Sequence, residues 1–397
     1  MCGREPLVSD TLNDEGHQYD VAIIGGGLSG LSIVSWLLDL ATDAGQPIPD
    51  ICILEPRTEY ENDRTWCFWQ GGPNTFSSLV ARCWSSWQVG FDGNYITQSS
   101  NQYAYAMLAA NDVYKYARDR ISACPDISLK LGIEVSELID NPGAVEINTN
   151  RGQIRARVAI DSRPPGADQM AMDKGFWQRF SGLEVRCPGH GLEIETARLM
   201  EFQACDDHVR FVYALPFDKE RCLIEWTEFD PSGGVSDCSS KAIGWLRAQN
   251  WGSYEVLRTE SGSLPMFPLH RRTQSPRVIN AGVGAGWMRP ATGYHFATCQ
   301  RVSKNLAEQL LAAKKQGVWH LQQPKPRPDW LNWMDTVFLK ALHRNPGTAP
   351  HWFLNMFSGA NAEQMARFMN DEPRLSDALA IARTLPKTTF LWAALRV

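Results

Sequence analysis

A glycine-rich turn between a predicted strand and a predicted helix constrains the fold of this chain more than any other feature. The segment DVAIIGGGLSGL, residues 20–31, opens with a β-branched run that is typical of a buried parallel strand. Its glycines follow the pattern G-x-G-x-x-G, and the next apolar residues have helical spacing. Such glycines let the backbone approach a pyrophosphate at the positive end of a helix. The order strand, turn, helix predicts a dinucleotide site that comprises Gly25, Gly26, Gly27, Leu28 and Gly30.

A second predicted strand, residues 51–54, ends in an acid that can complete this site. Glu55 stands slightly further beyond Gly30 than the usual ~20 residues, and the polar stretch 41–50 supplies the extra length as a longer loop. An acid at this strand end typically binds the hydroxyl groups of an adenosine ribose. An exposed strand-end acid is the alternative. The fingerprint indicates a dinucleotide without choosing between FAD and NAD.

Two further segments could contact the nucleotide. The octet NDRTWCFW, residues 62–69, fits no simple helix or strand pattern. Its Arg64 could bind phosphate or flavin edges, or the octet could serve packing alone. A predicted strand over 154–160 leads into Asp161, which is either a second nucleotide contact or an ordinary turn acid.

A second glycine-rich turn occurs late in the chain, in RVINAGVGAGWMRPATGYHF, residues 277–296. A strand, the turn containing Gly284 and Gly286, and a helix from about Ala297 predict another helix N-terminus. That end can face a phosphate or a flavin ring.

The middle of the chain, roughly residues 184–260, predicts antiparallel strands joined by turns, with a helix around 239–250. Such a sheet can form one wall for a large apolar ligand, and its acids are candidates for catalysis. Glu225 lies in the apolar strand segment RCLIEWTEF, where desolvation raises the pKa of a carboxyl and favours its protonated form. Strand alternation places Glu228 on the opposite face.

Composition excludes several classes of protein. The 397 residues exceed the usual size of one hydrophobic core, and a net charge of −5 gives no basic face for nucleic acid. The ten cysteines form no C-x-x-C pair and no zinc-type spacing, so we expect reduced thiols, no metal and a cytoplasmic protein. The N-terminus lacks the apolar core of a signal peptide. No run of ~18 apolar residues predicts a membrane-spanning helix.

The C-terminal part follows a proline-rich linker, residues 323–330, and predicts amphipathic helices over 330–344 and 352–370. The tail TLPKTTFLWAALRV is apolar with a few cations, so it either docks on the core or contacts a membrane interface. The chain thus divides into the following predicted parts: a mobile arm (1–18), three parts of a dinucleotide domain (19–100, 101–183 and 276–322), an antiparallel substrate domain (184–275) and C-terminal helices (323–397).

Taken together, these segments resemble the bacterial lycopene β-cyclases, over most of the chain and in the right order. The segments that carry the resemblance are DVAIIGGGLSGL, LEP followed by NDRTWCFW, AIDSR, FVYALPF, RCLIEWTEF, ESGSLPMF and GAGWMRPATGYHF. The octet, the LIE segment and RPATGY, which contains Gly293, are the more specific ones. The resemblance implies an α/β fold with a Rossmann-like FAD-binding domain of the flavin hydroxylase type, an inserted antiparallel substrate sheet and C-terminal helices.

The resemblance also implies the chemistry. FAD, reduced by NAD(P)H, would act without net oxidation on membrane-borne lycopene, which becomes γ-carotene and then β-carotene. A terminal double bond is protonated, a six-membered ring closes, and a proton is lost. The family's catalytic carboxylate falls on Glu225. In a low-dielectric pocket, the negative charge of the reduced flavin would stabilise the carbocation.

This sequence departs from the family at two positions. Ser162 follows Asp161 where the family commonly has glycine, and Trp226 follows Glu225 where relatives often have a second acid. If relatives share a proton between two acids, this chain must use Glu225 alone or recruit Glu228.

Three alternatives to a two-ring β-cyclase remain open at this point. They are an ε-type or one-ring cyclase, a flavin monooxygenase or polyprenyl reductase, and a non-catalytic carotenoid carrier. Flavin hydroxylases usually carry Gly-Asp in the late glycine turn, and this chain has no acid there.

Overall fold

The computed structural model describes residues 16–165, 175–230, 237–269 and 275–397. The predicted N-terminal arm, residues 1–18, lies outside these ranges except for its last three positions. None of the helices that the structure describes is long and apolar enough to cross a membrane.

The strands in these ranges are β1 (Gln18–Ile24), β2 (Ile51–Glu55), β3 (Thr65–Trp69), β4 (Arg82–Trp84), β5 (Ser86–Phe91), β6 (Asn94–Ser99), β7 (Tyr105–Ala109), β8 (Ile127–Leu131), β9 (Val135–Asn141), β10 (Ala144–Thr149), β11 (Gly152–Asp161), β12 (Phe176–Arg186), β13 (Thr196–Phe202), β14 (Val209–Pro216), β15 (Arg221–Asp230), β16 (Glu255–Met266) and β17 (Val278–Asn280). The α-helices are α1 (Leu28–Ala44), α2 (Ala110–Ser122), α3 (Cys238–Ala248), α4 (Phe296–Gln316), α5 (Asp329–Arg344), α6 (Ala349–Gly359), α7 (Ala362–Met369), α8 (Leu375–Ala382) and α9 (Lys387–Ala394).

The first sheet has the order β8-β2-β1-β11-β10-β9, and β17 pairs with the end of β11. Strands β8, β2, β1, β11 and β17 run parallel, whereas β9 and β10 form an antiparallel hairpin. One face is covered by α1, α2 and α4, whose apolar side chains share a core with Val21 and Ile23 of β1. Because the carboxyl ends of parallel strands share one edge, the glycine turn after β1, the end of β2 and the end of β11 lie together.

The second sheet has the order β16-β12-β15-β14-β13-β5-β6. Its pairs are antiparallel except for β13 and β5, which run parallel. Helix α3 covers one face, where Trp245 packs with Val212 and Ile224. The other face contributes to a core with residues of α5, α6 and α7. Strands β5 and β6 belong to this second sheet, although they come from residues 19–100, which the sequence analysis assigns to the dinucleotide domain. The division of the chain into domains therefore stays a prediction.

Some predicted elements differ in the structure. The sequence pattern over residues 103–123 predicts a helix with polar faces, but β7 occupies the first part and α2 the second. Part of the octet forms β3, because β7 pairs with β3 on one side and with β4 on the other. The helix expected over 352–370 is two helices, and Asn361 caps the second one through a capping box with Gln364.

A buried arginine joins the late glycine-rich loop to the C-terminal helices. Arg289 is 1% exposed, and its guanidinium donates to the Asp335 carboxylate of α5 at 2.8 and 3.0 Å. It also donates to the carbonyl of Phe368 in α7 and lies 4.2 Å from the centroid of that ring. A charge this deeply buried is tolerated only when it is paired and hydrogen-bonded.

A second arginine also binds the late glycine-rich loop. Arg327 donates to the carbonyls of Gly286 and Trp287, both at 2.8 Å. Its Nε atom donates to the Asp371 carboxylate, also at 2.8 Å. The two arginines and two aspartates therefore fix the position of the loop relative to α5 and α7.

We expect Asp335→Ala to lower the free energy of unfolding by ~3–5 kcal/mol, because it leaves the Arg289 guanidinium charged and without its bidentate partner. Denaturant unfolding followed by tryptophan fluorescence measures the change. Lys325→Ala is the control, since it removes an exposed ion pair with Asp329 and should cost no more than ~0.5 kcal/mol. Equal effects of the two substitutions would contradict a structural role for the buried network.

Candidate active site

The turn after β1 forms an open cradle. Gly25 has φ +98°, and a Cβ there would lie 2.5 Å from the Ser162 hydroxyl. A Cβ on Gly30 would collide with the Gly25 carbonyl, so this glycine lets α1 approach β1. A Cβ on Gly27, by contrast, would have an Arg57 guanidinium nitrogen at 4.0 Å as its nearest neighbour. Leu28 is a buried core residue at the start of α1. The open side of Gly27 therefore offers room for a ligand at the helix N-terminus.

Glu55 closes the cradle from the end of β2. Its carboxylate accepts a hydrogen bond from the Gly26 amide at 2.6 Å and one from the Arg57 Nε atom at 2.9 Å. The Arg57 guanidinium is stacked over the rings of Tyr60 and Tyr114, at 4.6 and 5.1 Å from their centroids. Sequence reasoning missed Arg57, although a cation two residues after a strand-end acid was a usable signal. Arg57 places a positive charge beside the open turn.

Asp161 ends β11, opposite Ile24 in the register with β1. Its two carboxylate oxygens accept hydrogen bonds from the Arg163 guanidinium, each at 2.8 Å. The Ser162 hydroxyl donates to the carbonyl of Ile24 at 2.7 Å. Ser162 thus braces the first turn, and Asp161 lies next to that turn with Arg163 as its partner.

The late glycine loop lies against the first turn. Gly282 has φ +64°, and a Cβ there would come within 2.9 Å of the Ser29 hydroxyl of α1. A Cβ on Gly284 would lie 2.6 Å from the Arg163 carbonyl. Gly286 has φ +72° and an open neighbourhood. Gly293 also has φ +72°, and a Cβ there would fill the space between this glycine and the Gln178 side chain of β12.

A partly buried histidine, His295, precedes the N-terminus of α4. The Nε2 atom of His295 has no hydrogen-bond partner among the described residues. Burial, together with the positive charges of Arg327 and Arg64, lowers the pKa of His295 to about 4. The ring is therefore neutral at physiological pH and presents an unused nitrogen at this end of the loop. Sequence reasoning missed His295, since nothing local in the sequence predicts its burial.

A cavity of about 270 Å³ separates the late glycine loop from the second sheet. Arg64, half exposed at the start of β3, and His295 line its loop side. Apolar side chains of the second sheet form much of the opposite wall; they are Phe180, Leu199, Met200, Phe211, Leu223, Phe229 and Leu264. The acids that line it are Asp63, Glu225 and Glu260.

Glu225 projects from β15 into this cavity. The Thr227 hydroxyl donates to its carboxyl at 2.9 Å. Burial, and secondly the negative charge of Glu260, raises the pKa of the Glu225 carboxyl to about 8. This group is therefore mostly protonated at neutral pH, which is the state that a proton donor needs.

Glu260 is the second acid, and sequence reasoning missed it. In the sheet register, Gly182 of β12 lies directly between Glu225 of β15 and Glu260 of β16. A Cβ on Gly182 would lie 3.0 Å from the Glu260 side chain, so the glycine leaves a gap between the two acids. Glu260 accepts hydrogen bonds from Arg258 at 2.7 Å and Thr65 at 2.8 Å. The residues adjacent to Glu260, Thr259 and Ser261, are polar, so the local sequence does not signal a buried acid.

Glu228 lies on the opposite face of β15, as strand alternation predicts. Its carboxylate accepts hydrogen bonds from Lys241 of α3 at 2.6 Å and from the Trp226 indole at 2.9 Å. Trp226 belongs to the core beneath α3. The carboxylate that neighbours Glu225 at the cavity is therefore that of Glu260, and neither Glu228 nor residue 226 contributes one.

Three tyrosines add a polar strip to the cavity wall. The Tyr105 hydroxyl lies 2.9 Å from the hydroxyls of both Tyr213 and Tyr294. Burial raises the pKa of all three phenols. They are therefore neutral, and they satisfy one another without placing a charge in the cavity.

A cluster of possible metal ligands lies away from this cavity. Cys205, Asp207 and His208, in the turn between β13 and β14, have ligand atoms within 4.8 Å of one another. They are sequence neighbours that already hydrogen-bond to each other. Three ligands on one exposed turn fall short of the closed four-ligand sets typical of structural zinc.

The raised pKa of Glu225 should make stability depend on pH. Because the pKa of this carboxyl is raised from 4.5 to about 8 in the folded state, its contribution to stability is fully present below pH 4.5 and is lost progressively as the pH rises to about 8. The free energy of unfolding of Glu225→Gln, measured relative to that of the wild type, should therefore increase by on the order of 2 kcal/mol between pH 5 and pH 9. This change in stability is smaller than the full shift of the Glu225 pKa implies, because the side chain borders a cavity that water can enter.

Thermal unfolding of both proteins between pH 5 and pH 9 measures this difference. Glu228→Gln is the control and should destabilise the protein across this range, because it breaks the ion pair between the buried Glu228 carboxylate and the partly exposed Lys241. Parallel stability curves for the wild type and Glu225→Gln would contradict a buried, protonated Glu225.

Solved structures similar to this chain identify its fold. A geranylgeranyl bacteriochlorophyll reductase-like protein from Thermoplasma acidophilum superposes with a TM-score of 0.68 at 11% identity, over 93% of this chain and 97% of that one. The p-nitrophenol 4-monooxygenase PnpA from Pseudomonas putida superposes with a TM-score of 0.57 at 17% identity, over 96% and 97% of the two chains. The predicted fold class is confirmed: an α/β Rossmann-like domain of the flavin hydroxylase type, an antiparallel sheet and C-terminal helices.

Sequence comparison identifies the family. The family model described as "Lycopene cyclase protein" matches residues 20–395. A lycopene beta-cyclase from Pantoea ananas is 24% identical over 402 residues, which cover 94% of this chain and 97% of that protein. Another, from Paracoccus sp. (strain N81106 / MBIC 01143), is 25% identical over 305 residues and 73% of each chain. With its glycine cradle and its acids at one apolar cavity, this chain belongs to the lycopene cyclase family.

Proposed function

We propose that this protein is a lycopene β-cyclase, which closes β-ionone rings on the ψ end groups of lycopene and yields γ-carotene and then β-carotene. The observation that carries the proposal is Glu225, a carboxyl whose pKa of about 8 keeps it protonated in an apolar cavity. The family membership supports the substrate class. The reaction is an isomerisation, so it consumes no reductant stoichiometrically.

FAD is the proposed cofactor, and the residues present fit it. The open side of Gly27 and the nearby Arg57 suit a pyrophosphate at the N-terminus of α1. Glu55, at the end of β2, suits a ribose. A loop side that includes Arg64 and Gly293 suits the flavin ring, and the His295 nitrogen without a partner among the described residues is available to it. Asp161, Gly284, Gly286 and Gly293 complete the proposed set. Bound in its reduced form, with NAD(P)H as the reductant, FAD would supply negative charge that stabilises a nearby carbocation.

Glu225 is the proposed general acid. Its proton adds to the terminal double bond of the ψ end group, the resulting cation is attacked by the neighbouring double bond, and the six-membered ring closes. Loss of a proton from the ring carbons then restores a neutral product, so one proton enters and one leaves. Positioned acid catalysis typically contributes ~10²–10⁴-fold to a rate.

Glu260 is the proposed charge partner of this acid. Its carboxylate, held by Arg258 and Thr65, raises the pKa of Glu225. The same carboxylate lies across the Gly182 gap, where it can stabilise the cation or accept the departing proton. Once the substrate fills the cavity, it displaces the water that would otherwise trap the cation, and the apolar wall packs against the polyene.

We also propose a cytoplasmic protein that is peripheral to the membrane, because lycopene resides in the bilayer. Large apolar side chains are exposed on α8 and α9, among them Leu375, Leu379, Leu391 and Leu395. The nearby cations Arg383 and Lys387 suit anionic lipid headgroups. The cysteines of the described residues are free thiols, which suits a reducing compartment.

The alternatives predict different products. An ε-type or one-ring cyclase would accumulate ε-carotene or γ-carotene in cells that make lycopene. A monooxygenase or a polyprenyl reductase would oxidise NAD(P)H in step with product. A carotenoid carrier would leave the pigment unchanged.

Gly27→Val is expected to abolish FAD binding and leave the fold intact. A side chain at residue 27 meets open space in the protein, so a bound pyrophosphate is the group that it would displace. Flavin absorbance after purification and the melting temperature report the two effects. Gly244→Val is the control, since its surroundings on α3 are also open and lie away from the cradle. A folded Gly27→Val protein with full FAD occupancy would rule out this cradle as the cofactor site.

Glu225→Gln is expected to lower cyclisation by ~10²-fold or more, while FAD content stays at the wild-type level. In the wild type, activity should fall as the pH rises through about 8, because only the protonated acid can react. Pigment extraction from lycopene-producing cells and assays of purified protein measure both effects.

Two variants serve as controls for this test. Glu228→Gln, assayed below its melting temperature, should retain most activity, because Glu228 lies on the opposite face of β15. Glu260→Gln should move the alkaline midpoint to lower pH, because it removes the charge that raises the pKa of Glu225. Full activity of Glu225→Gln would show that the proton comes from another group.

A further inference from the structure

A second cavity, of about 390 Å³, lies among the C-terminal helices. It is lined mainly by apolar side chains of α5, α6, α8 and α9, among them Phe338, Phe357 and Phe390. Its polar lining at the inner end includes Arg289 and Asp335, which are already paired with each other. A mostly apolar lining with few free polar groups suits a hydrocarbon ligand.

The two cavities share part of their walls. Ala291 and Thr292 of the late glycine loop, Phe353 of α6 and Met369 of α7 line both the cavity at Glu225 and the cavity among the helices. We call these four residues the waist. Only a few side chains therefore separate the two spaces, and one of them is a small alanine.

The outer end of the second cavity opens where apolar side chains are most exposed. Trp333 is 48% exposed and Leu391 is 63% exposed, and both line the cavity. Ala382, an exposed residue at the end of α8, lines it too. Lys387 stands at this opening. Apolar side chains rimmed by cations are typical of a surface that sits in the headgroup region of a bilayer.

We propose that the second cavity is the passage for the polyene: a ψ end group enters from the bilayer between α8 and α9, passes the waist and reaches Glu225, while the rest of the carotenoid stays in the passage. This inference rests on the proposed function. The cavity at Glu225 falls below the ~300–1,000 Å³ of typical ligand sites, so a long, stiff polyene cannot fold into it. The passage keeps the remaining polyene out of water along its length.

Covalent obstruction of the outer end tests the passage without disturbing folding. Ala382→Cys is purified and then labelled with a bulky maleimide, so that activity is compared before and after labelling on the same folded protein. Ser376→Cys, exposed on the same helix but not lining the cavity, and the wild-type protein receive the same label. The assay is cyclisation of lycopene supplied in phosphatidylcholine–phosphatidylglycerol vesicles, with flotation to measure membrane binding.

We expect labelling to reduce turnover of Ala382→Cys at least tenfold while vesicle binding and FAD content are retained, and to leave labelled Ser376→Cys and labelled wild type unchanged. Wild-type turnover by labelled Ala382→Cys would overturn the passage and leave the cyclase proposal standing. Equal losses in both labelled cysteine variants would also overturn it, because they would indicate a general effect on membrane contact. If unlabelled wild-type protein forms no cyclised carotenoid, the proposed function fails, and the passage fails with it.

Discussion

The buried contact between Arg289 and Asp335 is the interaction on which the rest of the site depends. It connects the late glycine loop to α5, while Arg327 and Asp371 hold the same loop from α7's end. The loop forms one wall of the cavity at Glu225 and contributes Ala291 and Thr292 to the waist. A shift of this loop would therefore change the cradle, the acid cavity and the waist together. Buried ion pairs often add little net stability, but they can specify one arrangement.

The second sheet places three glutamates in three different environments. Glu225 and Glu260 share the cavity face across Gly182, whereas Glu228 faces α3 and pairs with Lys241. The pleat of the sheet decides which acid meets the cavity, and the partners of each acid decide its charge. Among the described residues, Glu225 has a hydroxyl donor but no cation, while Glu260 and Glu228 each have one. This contrast separates the proposed proton donor from two structurally similar residues.

Features encoded locally were predictable from the sequence, and features that depend on distant strands were not. The turn after β1, Glu55 and the two faces of β15 follow from short-range spacing. The pairing of β7 with β3 and β4 overrode a helical pattern, and the burial of Glu260 depends on β12 and on Thr65 of β3. The carboxylates that hold Arg289 and Arg327 lie on the C-terminal helices or just beyond them, and no local pattern links them to the loop. The position of Arg57 after a strand-end acid can be read from the sequence, but only the structure shows that Arg57 lies beside the open turn.

The parallel pairing of β5 with β13 constrains the order in which the molecule can assemble. The hairpin of β5 and β6 belongs to the first quarter of the chain, yet its partner strand, Thr196–Phe202, is synthesised about a hundred residues later. During synthesis the hairpin must wait with an unpaired edge, and such edges promote association between chains. The parallel strand β17, which pairs with β11, comes later still. Neither sheet is complete until most of the chain has left the ribosome, so this protein is expected to fold slowly and late, with a need for protection while it is nascent.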